Sequence, residues 1–350
     1  MSSFDDYKVK FLNICGGDIP DDQYFSIPGI SNSKLKLIDP LEGGSPEAYL
    51  AGFPKGFNVS LLTGNGVHSV FLQSESYTLS DYEGKPSAKL GYFIDKVYEL
   101  RKKGYTIEKA VLEGSRQADY YNGKFTKKIF DKAVKAGLDY YTRLVRGEFK
   151  EDGKEVIVLP KAQLEACKAC LNSLYNNYSV KQLLSENLLE PKQFLNEIAL
   201  FSDIEVTFPD GKTHKIPFKG KLDQVIIDPE KKLIYLNDLK TTSKSCEVFM
   251  GGMYEGEWFN GSFQRLHYMR QFSIYLLLLQ MYCEQVLNLT DYNYMCNVIV
   301  VETTGENRAK VYPINNSYIQ YGAREFKELI CRVAWHERYG FDKTIEERID

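Results

Sequence analysis

Residues 218–242, FKGKLDQVIIDPEKKLIYLNDLKTT, decide the fold of this chain. Two apolar runs flank the turn-forming cluster Asp-Pro-Glu-Lys-Lys, a pattern that predicts a β-hairpin. A four-residue loop from Pro229 to Lys232 places Asp223 opposite Asp238. Because side chains alternate along a strand, Lys240 shares the face of Asp238, whereas Leu239 points to the other face.

The two aspartates of this hairpin need a cation. Directly opposed side chains lie about 5 Å apart, and two carboxylates at that distance repel each other. A hard divalent ion such as Mg²⁺ takes oxygen ligands of this kind. Lys240 could orient or deprotonate a water on that ion. The set of groups is typical of metal-assisted phosphodiester hydrolysis, and the alternative is an exposed turn with solvated charges.

The same segment resembles a known nuclease family. The spacing G-x-x-D from Gly220 to Asp223, followed by D-x-K at Asp238 and Lys240, is similar to the PD-(D/E)XK nuclease core. The run Asp-Leu-Lys-Thr-Thr that ends at Thr242 resembles the RecB-like and RecE-like (exodeoxyribonuclease VIII-like) phage exonuclease branch. A bare D-x-K motif has little specificity, and its coupling to a hairpin with an aspartate in register gives the resemblance its weight.

A third carboxylate is predicted on the preceding strand. Phe-Pro-Asp-Gly-Lys at 208–212 is a turn signal, and a three-residue loop from Pro209 to Gly211 with the glycine in the left-handed region places Glu197 opposite Asp223. Glu205, its rival on the same face, would lie eight residues away, on the order of 26 Å along the strand. In the family an acidic residue on this strand completes the metal site, which favours Glu197; a solvated charge at the strand end is the alternative.

Two further motifs carry the resemblance to other parts of the chain. Gly64 to His68 fits the G-x-x-x-H of the branch, whose histidine reaches the metal, although a lone helical histidine is as consistent with a structural role. Gln271 and Tyr275 resemble its Q-x-x-x-Y motif, a polar pair that faces the active site and DNA. The resemblance also implies the Leu239 backbone carbonyl as a metal ligand and Thr241 as a substrate contact.

The order of predicted elements matches the αβββαβ core of the superfamily. Strand patterns begin near residue 195, continue through the hairpin and, after a glycine-rich loop and an apolar helix from about Phe263 to Leu287, end in two closing strands, NYMCNVIVVET and RAKVYPI. We therefore expect an α/β fold with a restriction-endonuclease-like core, a central mixed sheet flanked by helices. Residues 1–350 would form a single nuclease domain, with the catalytic sheet at 195–315 and a mainly helical insertion at 80–190 before the first core strand.

Bulk properties limit the other classes of protein. The net charge of −3 gives no global basic field, although 44 Lys and Arg could build a local basic groove. MSSFDDYKVK lacks the apolar centre of a signal peptide and the longest apolar run is too short to span a bilayer, so we expect a cytoplasmic protein without a membrane partner. The seven cysteines do not reproduce the spacing of the iron–sulfur nucleases, and Cys167–Cys170 lies in a helical pattern; no iron–sulfur cluster is expected.

The resemblance implies an Mg²⁺- or Mn²⁺-dependent DNA exonuclease of phage-type recombination or replication. Asp223, Asp238, Glu197 and His68 would hold the metal, and Lys240 would act on the water. The family implies a homo-oligomer, with a single-strand-annealing protein as a partner. A structure-specific or nicking endonuclease on the same core, and a non-catalytic DNA-binding protein on a decayed nuclease fold, are the alternatives.

Overall fold

The computed structural model describes residues 4–53, 59–151 and 153–345. Its strands are β1 Lys8–Phe11, β2 Cys15–Gly17, β3 Tyr77–Leu79, β4 Lys150–Glu151, β5 Lys154–Ile157, β6 Gln193–Thr207, β7 Thr213–Asp228, β8 Leu233–Thr242, β9 Gly252–Tyr254, β10 Glu257–Phe259, β11 Asn293–Glu302 and β12 Ala309–Pro313. Its α-helices are α1 Asp21–Ser26, α2 Asn32–Leu35, α3 Pro46–Ala51, α4 Val59–Leu72, α5 Ala88–Lys102, α6 Ile107–Gln117, α7 Lys127–Arg146, α8 Lys161–Asn176, α9 Tyr178–Leu184, α10 Ser262–Arg265, α11 Tyr268–Gln285 and α12 Asn316–Tyr339. Short 3₁₀ turns lie at Lys36–Ile38, Pro40–Glu42, Tyr121–Gly123 and Cys246–Val248.

A mixed sheet forms the centre of the molecule, as predicted. Its strands follow the order β1-β6-β7-β8-β11-β12, and β2 pairs with β6 beside β1. Strands β6, β7 and β8 are antiparallel, β8 and β11 are parallel, and β12 returns antiparallel to β11. A parallel pair needs a long crossover, which α11 supplies between β8 and β11.

Local turn chemistry sets the register of the two hairpins as the sequence predicts. Between β6 and β7, the Phe208 amide donates to the Lys212 carbonyl (2.8 Å) and Gly211 has a φ of +80°. Between β7 and β8, the loop 229–232 follows Asp228, whose carboxylate accepts a hydrogen bond from the Lys231 backbone N–H at 3.0 Å. Both predicted registers are confirmed, since Asn196 and Gln224 are partners in one ladder and Gln224 and Asn237 are partners in the other.

Helices cover both faces of the sheet. Val298 and Val300 of β11 are buried in the cluster that contains α11 and α12, whereas Ile299 and Val301 are buried against α4 and α8. Because neither face meets water, β11 reads as a continuous apolar run rather than an alternating one. Leu239 of β8 also belongs to the cluster of α4 and α8, so Asp238 and Lys240 face α11.

Most of residues 80–190 is helical, as expected, and the small sheet β3-β5-β4 lies in and beside this region. Helices α5, α6 and α7 enclose a core of their own around Phe93, Val97, Ala110 and Tyr140. Helix α8 instead packs on the central sheet through Leu164 and its neighbours. The division into a sheet core and an inserted helical segment stays a prediction.

The helix expected from about Phe263 to Leu287 is interrupted, which corrects the prediction. Phe263 lies in the short α10, His267 adopts a left-handed backbone with a φ of +52°, and α11 begins at Tyr268. The glycine-rich segment before α10 contains the hairpin β9–β10. An apolar run alone does not reveal a break of this kind, because the buried positions on both sides keep a helical spacing.

The two cysteines of the C-x-x-C are buried on α8 within the apolar core. Burial raises the pKa of the Cys167 thiol to about 12 and that of Cys170 to about 11. Both are therefore held as thiols, and the thiolate is the form that binds metal. Separately, none of the helices in the described ranges combines the length and the apolar character needed to cross a bilayer.

Candidate metal centre

Strands β7 and β8 part where the two predicted aspartates begin. Their ladder ends at the pair Gln224 and Asn237, one residue before Asp223 and Asp238. The Asp223 carboxylate turns into the opening and accepts the backbone N–H of Leu239 at 2.8 Å. The predicted register is correct, but the side chains of Asp223 and Asp238 are not directly opposed. The Asp223 carboxylate extends past Asp238 and takes the place of a missing backbone hydrogen bond between the strands.

The alternation of side chains also breaks at this point. Leu195 and Ile198 of β6 both face the cluster of α11 and α12, although they are three residues apart. Strict alternation places residues an odd number apart on opposite faces. The inversion occurs at Glu197, a non-glycine residue with a left-handed φ of +54°. Leu222 and Val225 show the same inversion on β7, across Asp223.

A row of amide side chains crosses the sheet beside this break. The amide nitrogen of Gln224 donates to Asn196 (3.1 Å), that of Asn237 donates to Gln224 (3.1 Å), and that of Asn297 donates to Asn237 (2.9 Å). We call these four residues, Asn196, Gln224, Asn237 and Asn297, the amide row. Because an amide carries both donors and an acceptor, its members satisfy one another in the interior.

One residue along, three carboxylates occupy the corresponding positions. We call Glu197, Asp223 and Asp238 the carboxylate row. Asp238 is buried, with 1% of its surface exposed. Its Oδ1 accepts the Gln271 side-chain amide at 2.6 Å, and its Oδ2 forms an ion pair with the Lys240 ammonium. The structure thus brings Gln271, Lys240 and Asp238 together as predicted.

His68 lies on α4 and points into the opening from the other face of the sheet. Its Nδ1 is 3.6 Å from Oδ2 of Asp223. The glycine of the G-x-x-x-H motif has a packing reason: a Cβ on Gly64 would lie 3.1 Å from Oγ1 of Thr241, so glycine lets α4 approach β8. Burial, and then the charge of Lys240, lowers the pKa of His68 to about 4. The imidazole is therefore neutral near pH 7, which is the form that binds metal ions.

Glu197 completes the group. One ligand atom each from His68, Glu197 and Asp223 lie within 4.8 Å of one another. Glu205 is remote from them, since its cross-strand neighbours are Lys10 and Lys215. The structure therefore separates the two candidate glutamates in the way the register predicts.

Sequence analysis did not find Lys221, which holds Glu197 in place. The Lys221 ammonium lies 2.7 Å from Oε2 of Glu197 and also pairs with Asp21 of α1. It is largely buried, with 18% of its side chain exposed. The signal for it was present in the strand alternation, because position 221 is two residues from Asp223, but its partner Asp21 lies 200 residues upstream.

The Lys240 charge does not fully compensate the negative charge of the carboxylate row. Burial raises the pKa of both Asp223 and Asp238 to about 6, and the Lys240 charge only partly offsets this effect. Buried carboxylates in this state gain stability from a cation. Two aspartates, a glutamate, a neutral imidazole and the nearby Leu239 backbone form a donor set that suits Mg²⁺ or Mn²⁺. The residues present fit such an ion.

Tyr275 lies one turn of α11 beyond Gln271, against the start of the G-x-x-D motif. A Cβ on Gly220 would lie 3.1 Å from Cε1 of the Tyr275 ring, so the glycine allows α11 to approach β7. Burial, and then the charge of Asp238, raises the pKa of Tyr275 well above its usual value. Thr241, next to Gly64, lies on β8 beyond Lys240.

Arg270, beside Gln271 on α11, does not face the opening. It is fully buried, and its guanidinium binds Asn32 (2.9 Å), Asp39 (2.8 Å) and Glu42 (2.6 Å). Asp39, Glu42 and His267 also converge. There the arginine already supplies the positive charge, so this cluster joins the N-terminal segment to α11.

Comparisons with known proteins add little to this geometry. No family model and no curated protein matches the chain. Among solved structures it is similar to one described as "Putative exonuclease" from Eubacterium rectale, at a TM-score of 0.48 and 11% sequence identity, over 94% of this chain and 89% of that one. At this TM-score and identity the likeness carries no argument about activity.

Proposed function

We propose that this protein is a metal-dependent DNA nuclease, and specifically an exonuclease of linear DNA. The observation that carries the proposal is the carboxylate row: where β7 and β8 part, the Asp223 carboxylate accepts the Leu239 N–H, and the buried Asp238 forms an ion pair with the Lys240 ammonium. Removing such carboxylates from water costs several kcal/mol per ion, and the Lys240 charge offsets this cost only in part. Their retention points to a function.

The ion proposed for this site is Mg²⁺ or Mn²⁺. Asp223, Asp238 and His68 would hold it together with the Leu239 backbone carbonyl, and Glu197 would complete the shell directly or through water. When bound, the ion polarises the scissile phosphate and lowers the pKa of a coordinated water. Gln271 fixes the orientation of Asp238 through its 2.6 Å hydrogen bond, so the Q-x-x-x-Y motif acts first as a positioning device.

Lys240 enters this mechanism as a cation. Burial favours its neutral form, but the charges of Asp238 and Asp223 outweigh burial and raise the pKa of Lys240. In that setting the ammonium donates a hydrogen bond, orients the attacking water and stabilises negative charge that develops on the phosphate. The Tyr268 ring lies under it, 5.1 Å from the nitrogen, and limits where the side chain can move.

The substrate side is proposed from the same opening. Tyr275 of α11 lies near the carboxylate row and Thr241 follows Lys240 on β8, and both would contact the DNA strand. The wider setting rests on the resemblance alone: a role in phage-type recombination or replication, a homo-oligomer, a single-strand-annealing partner and a place in the cytoplasm of a bacterial host.

One assay tests the activity and its main alternative together. End-labelled linear duplex and covalently closed circles are incubated with Mg²⁺ and with EDTA. We expect nucleotide release from the linear DNA only in Mg²⁺ and no cut in the circles. Cleavage of the circles would indicate an endonuclease on the same core instead of an exonuclease. A folded protein that cleaves neither substrate in Mg²⁺ or Mn²⁺ would contradict the proposal and leave a non-catalytic DNA-binding protein.

A further inference from the structure

A groove of about 650 Å³ lies outside the carboxylate row. Its floor is the junction between α10 and α11, with Gln264, Arg265 and His267. One wall is the hairpin β9–β10, which contributes Trp258, and the other is the start of α12, which contributes Tyr318 and Tyr321.

The break between α10 and α11 shapes this groove. A continuous helix would need a helical backbone at His267, where φ is +52° instead. A non-glycine residue in that conformation costs free energy and persists only when its surroundings fix it. Here the Nδ1 of His267 is 2.7 Å from Glu325 of α12, which holds the junction open against the opposite wall.

Aromatic side chains are exposed on both walls. Trp258 is 59% exposed and Tyr321 is 48% exposed, whereas Trp335 is buried in the core at 4%. Arg265 on the floor is exposed, and its guanidinium makes only long hydrogen bonds of 3.4 Å to Gly261 and Ser262. Exposed aromatic rings on both walls and a weakly held arginine between them suit a flat ligand that carries a phosphate.

Two neighbouring residues connect the groove with the proposed catalytic groups. His267 on its floor is followed in the chain by Tyr268, whose ring lies under Lys240. Gln264, also on the floor, fixes the geometry of the loop, because its amide donates to the Met250 carbonyl at 2.7 Å and its oxygen accepts the Gly261 N–H at 3.0 Å. The chain therefore passes from the floor of the groove at His267 to the ring under Lys240 at Tyr268 in one step.

We propose that this groove binds the base of an unpaired nucleotide of the DNA strand being cut, with Trp258 as its stacking platform. The inference rests on the proposed nuclease function and narrows its substrate to a strand whose bases are free near the scissile phosphate. Every base has an aromatic face, so stacking is tolerant of sequence, as an enzyme that moves along DNA requires. Arg265 contacts the adjoining phosphate. A base inside an intact duplex is stacked between its neighbours and cannot enter.

Tryptophan fluorescence tests this without cleavage. Wild-type protein in EDTA is titrated with short oligothymidylate, with an abasic oligonucleotide of the same length and with thymidine monophosphate. We expect the oligothymidylate to quench the exposed Trp258, while the buried Trp335 contributes a constant background. The variants lack this fluorophore, so their affinity is measured by the anisotropy of a fluorescein-labelled oligothymidylate. By that measure Trp258→Ala should lose affinity roughly five- to 150-fold, the range of one lost base stack. Trp258→Phe should keep most of the affinity, and truncation of an exposed leucine on α7, Leu138→Ala, should change nothing.

Two results would overturn the groove assignment. One is equal oligothymidylate affinity in wild type and Trp258→Ala; the other is equal binding of abasic and normal oligonucleotides. If thymidine monophosphate binds as tightly as the oligonucleotide, the ligand of the groove is a free nucleotide and not a DNA strand. The cleavage assay in Mg²⁺ tests the nuclease function independently. Quenching without cleavage would support the nucleotide-binding groove and contradict the nuclease function. Cleavage without quenching would support the nuclease function and contradict the groove.

Discussion

Two neighbouring rows of side chains cross β6, β7 and β8 and solve the problem of burial in opposite ways. The amide row is joined into one hydrogen-bonded chain, and Asn237 at its centre is fully buried. The carboxylate row, one residue along, can only accept hydrogen bonds. It draws on Leu239 N–H, Gln271, Lys221 and Lys240 instead. The sheet stays paired at the first row and opens at the second.

The difference separates a structural polar row from a functional one. Amides satisfy one another, so the amide row fixes the register of four strands without an outside ligand. Carboxylates placed in register repel, and the chain accommodates them only by a left-handed residue at Glu197 and a parted ladder. This contrast is the reason for the proposal that the acidic row serves chemistry.

Removal of the Lys240 side chain should have the largest effect on cleavage. The same substitution also separates catalysis from binding. Lys240→Ala is expected to lower single-turnover cleavage about 10²- to 10³-fold, as the loss of a positioned hydrogen-bond donor to developing charge does. Metal affinity and DNA affinity should stay close to wild type. Single-turnover rates with saturating enzyme measure the effect, and Lys215→Ala, an exposed lysine on the same sheet, is the matched control.

The competing role for Lys240 is a phosphate contact. In that case DNA affinity would fall, the salt dependence of binding would flatten by about one unit and cleavage would recover at saturating DNA. Wild-type turnover by Lys240→Ala would remove the proposed mechanism at its centre.

Breaking the amide row should destabilise the fold. Asn237→Ala leaves Oε1 of Gln224 and Nδ2 of Asn297 without their partners in the interior. The expected loss of unfolding free energy is about 2–4 kcal/mol, since each buried polar group left unsatisfied costs about 1–3 kcal/mol. Urea unfolding measures it against Asn172→Ala, an exposed amide on α8. A loss no larger than that of the control would mean that the amide row does not set the register.

Glu197 and Glu205 distinguish the carboxylate row from other acids on the same strand. Glu197→Gln should reduce cleavage about tenfold to 100-fold, the usual cost of altering a metal shell, and Glu205→Gln should be near neutral. Cleavage rates at limiting Mg²⁺ are the measurement. The opposite ranking would place the catalytic carboxylate eight residues away and contradict the site geometry.

The smallest effect concerns stability without metal. Burial raises the pKa of Asp223 from 3.8 to about 6. The folded state therefore holds a proton that the unfolded state has released, and stability falls as the pH rises through this window. Asp223→Asn keeps an acceptor for Leu239 N–H and removes the charge. It should be neutral near pH 4 and stabilising by on the order of 1–2 kcal/mol above about pH 6.5.

Urea unfolding in EDTA at the two pH values measures this effect. Equal stabilisation at both values, or destabilisation at the higher one, would show that the Asp223 charge does not strain the metal-free fold.

The parts of the site that the sequence predicts correctly depend on local turns. Phe-Pro-Asp-Gly-Lys and Asp-Pro-Glu-Lys-Lys each fix a loop length, and a loop length fixes which residues face each other across a hairpin. That logic finds Asp223, Asp238 and Glu197, and the alternation beside them finds Lys240. His68, Gln271 and Tyr275 follow from family motifs, and each lies beside the opening in the structure.

The parts that the sequence does not predict depend on distant partners. Arg270 is buried because Asn32, Asp39 and Glu42 meet it from more than 200 positions upstream. The inversion of side-chain direction occurs at Glu197 and the helix break occurs at His267. Both residues have a left-handed backbone but are not glycine, so the sequence does not indicate it. In each place tertiary contacts override the local pattern, and one of the three, Glu197, belongs to the carboxylate row.

Metal binding tests the central claim most directly. Isothermal titration with Mn²⁺ is compared for wild type, Asp238→Asn and Glu205→Gln, with circular dichroism to verify that each variant is folded. The carboxylate row predicts that wild type and Glu205→Gln bind Mn²⁺ with the same affinity and that Asp238→Asn does not bind it measurably. Unchanged Mn²⁺ binding in folded Asp238→Asn would contradict the account.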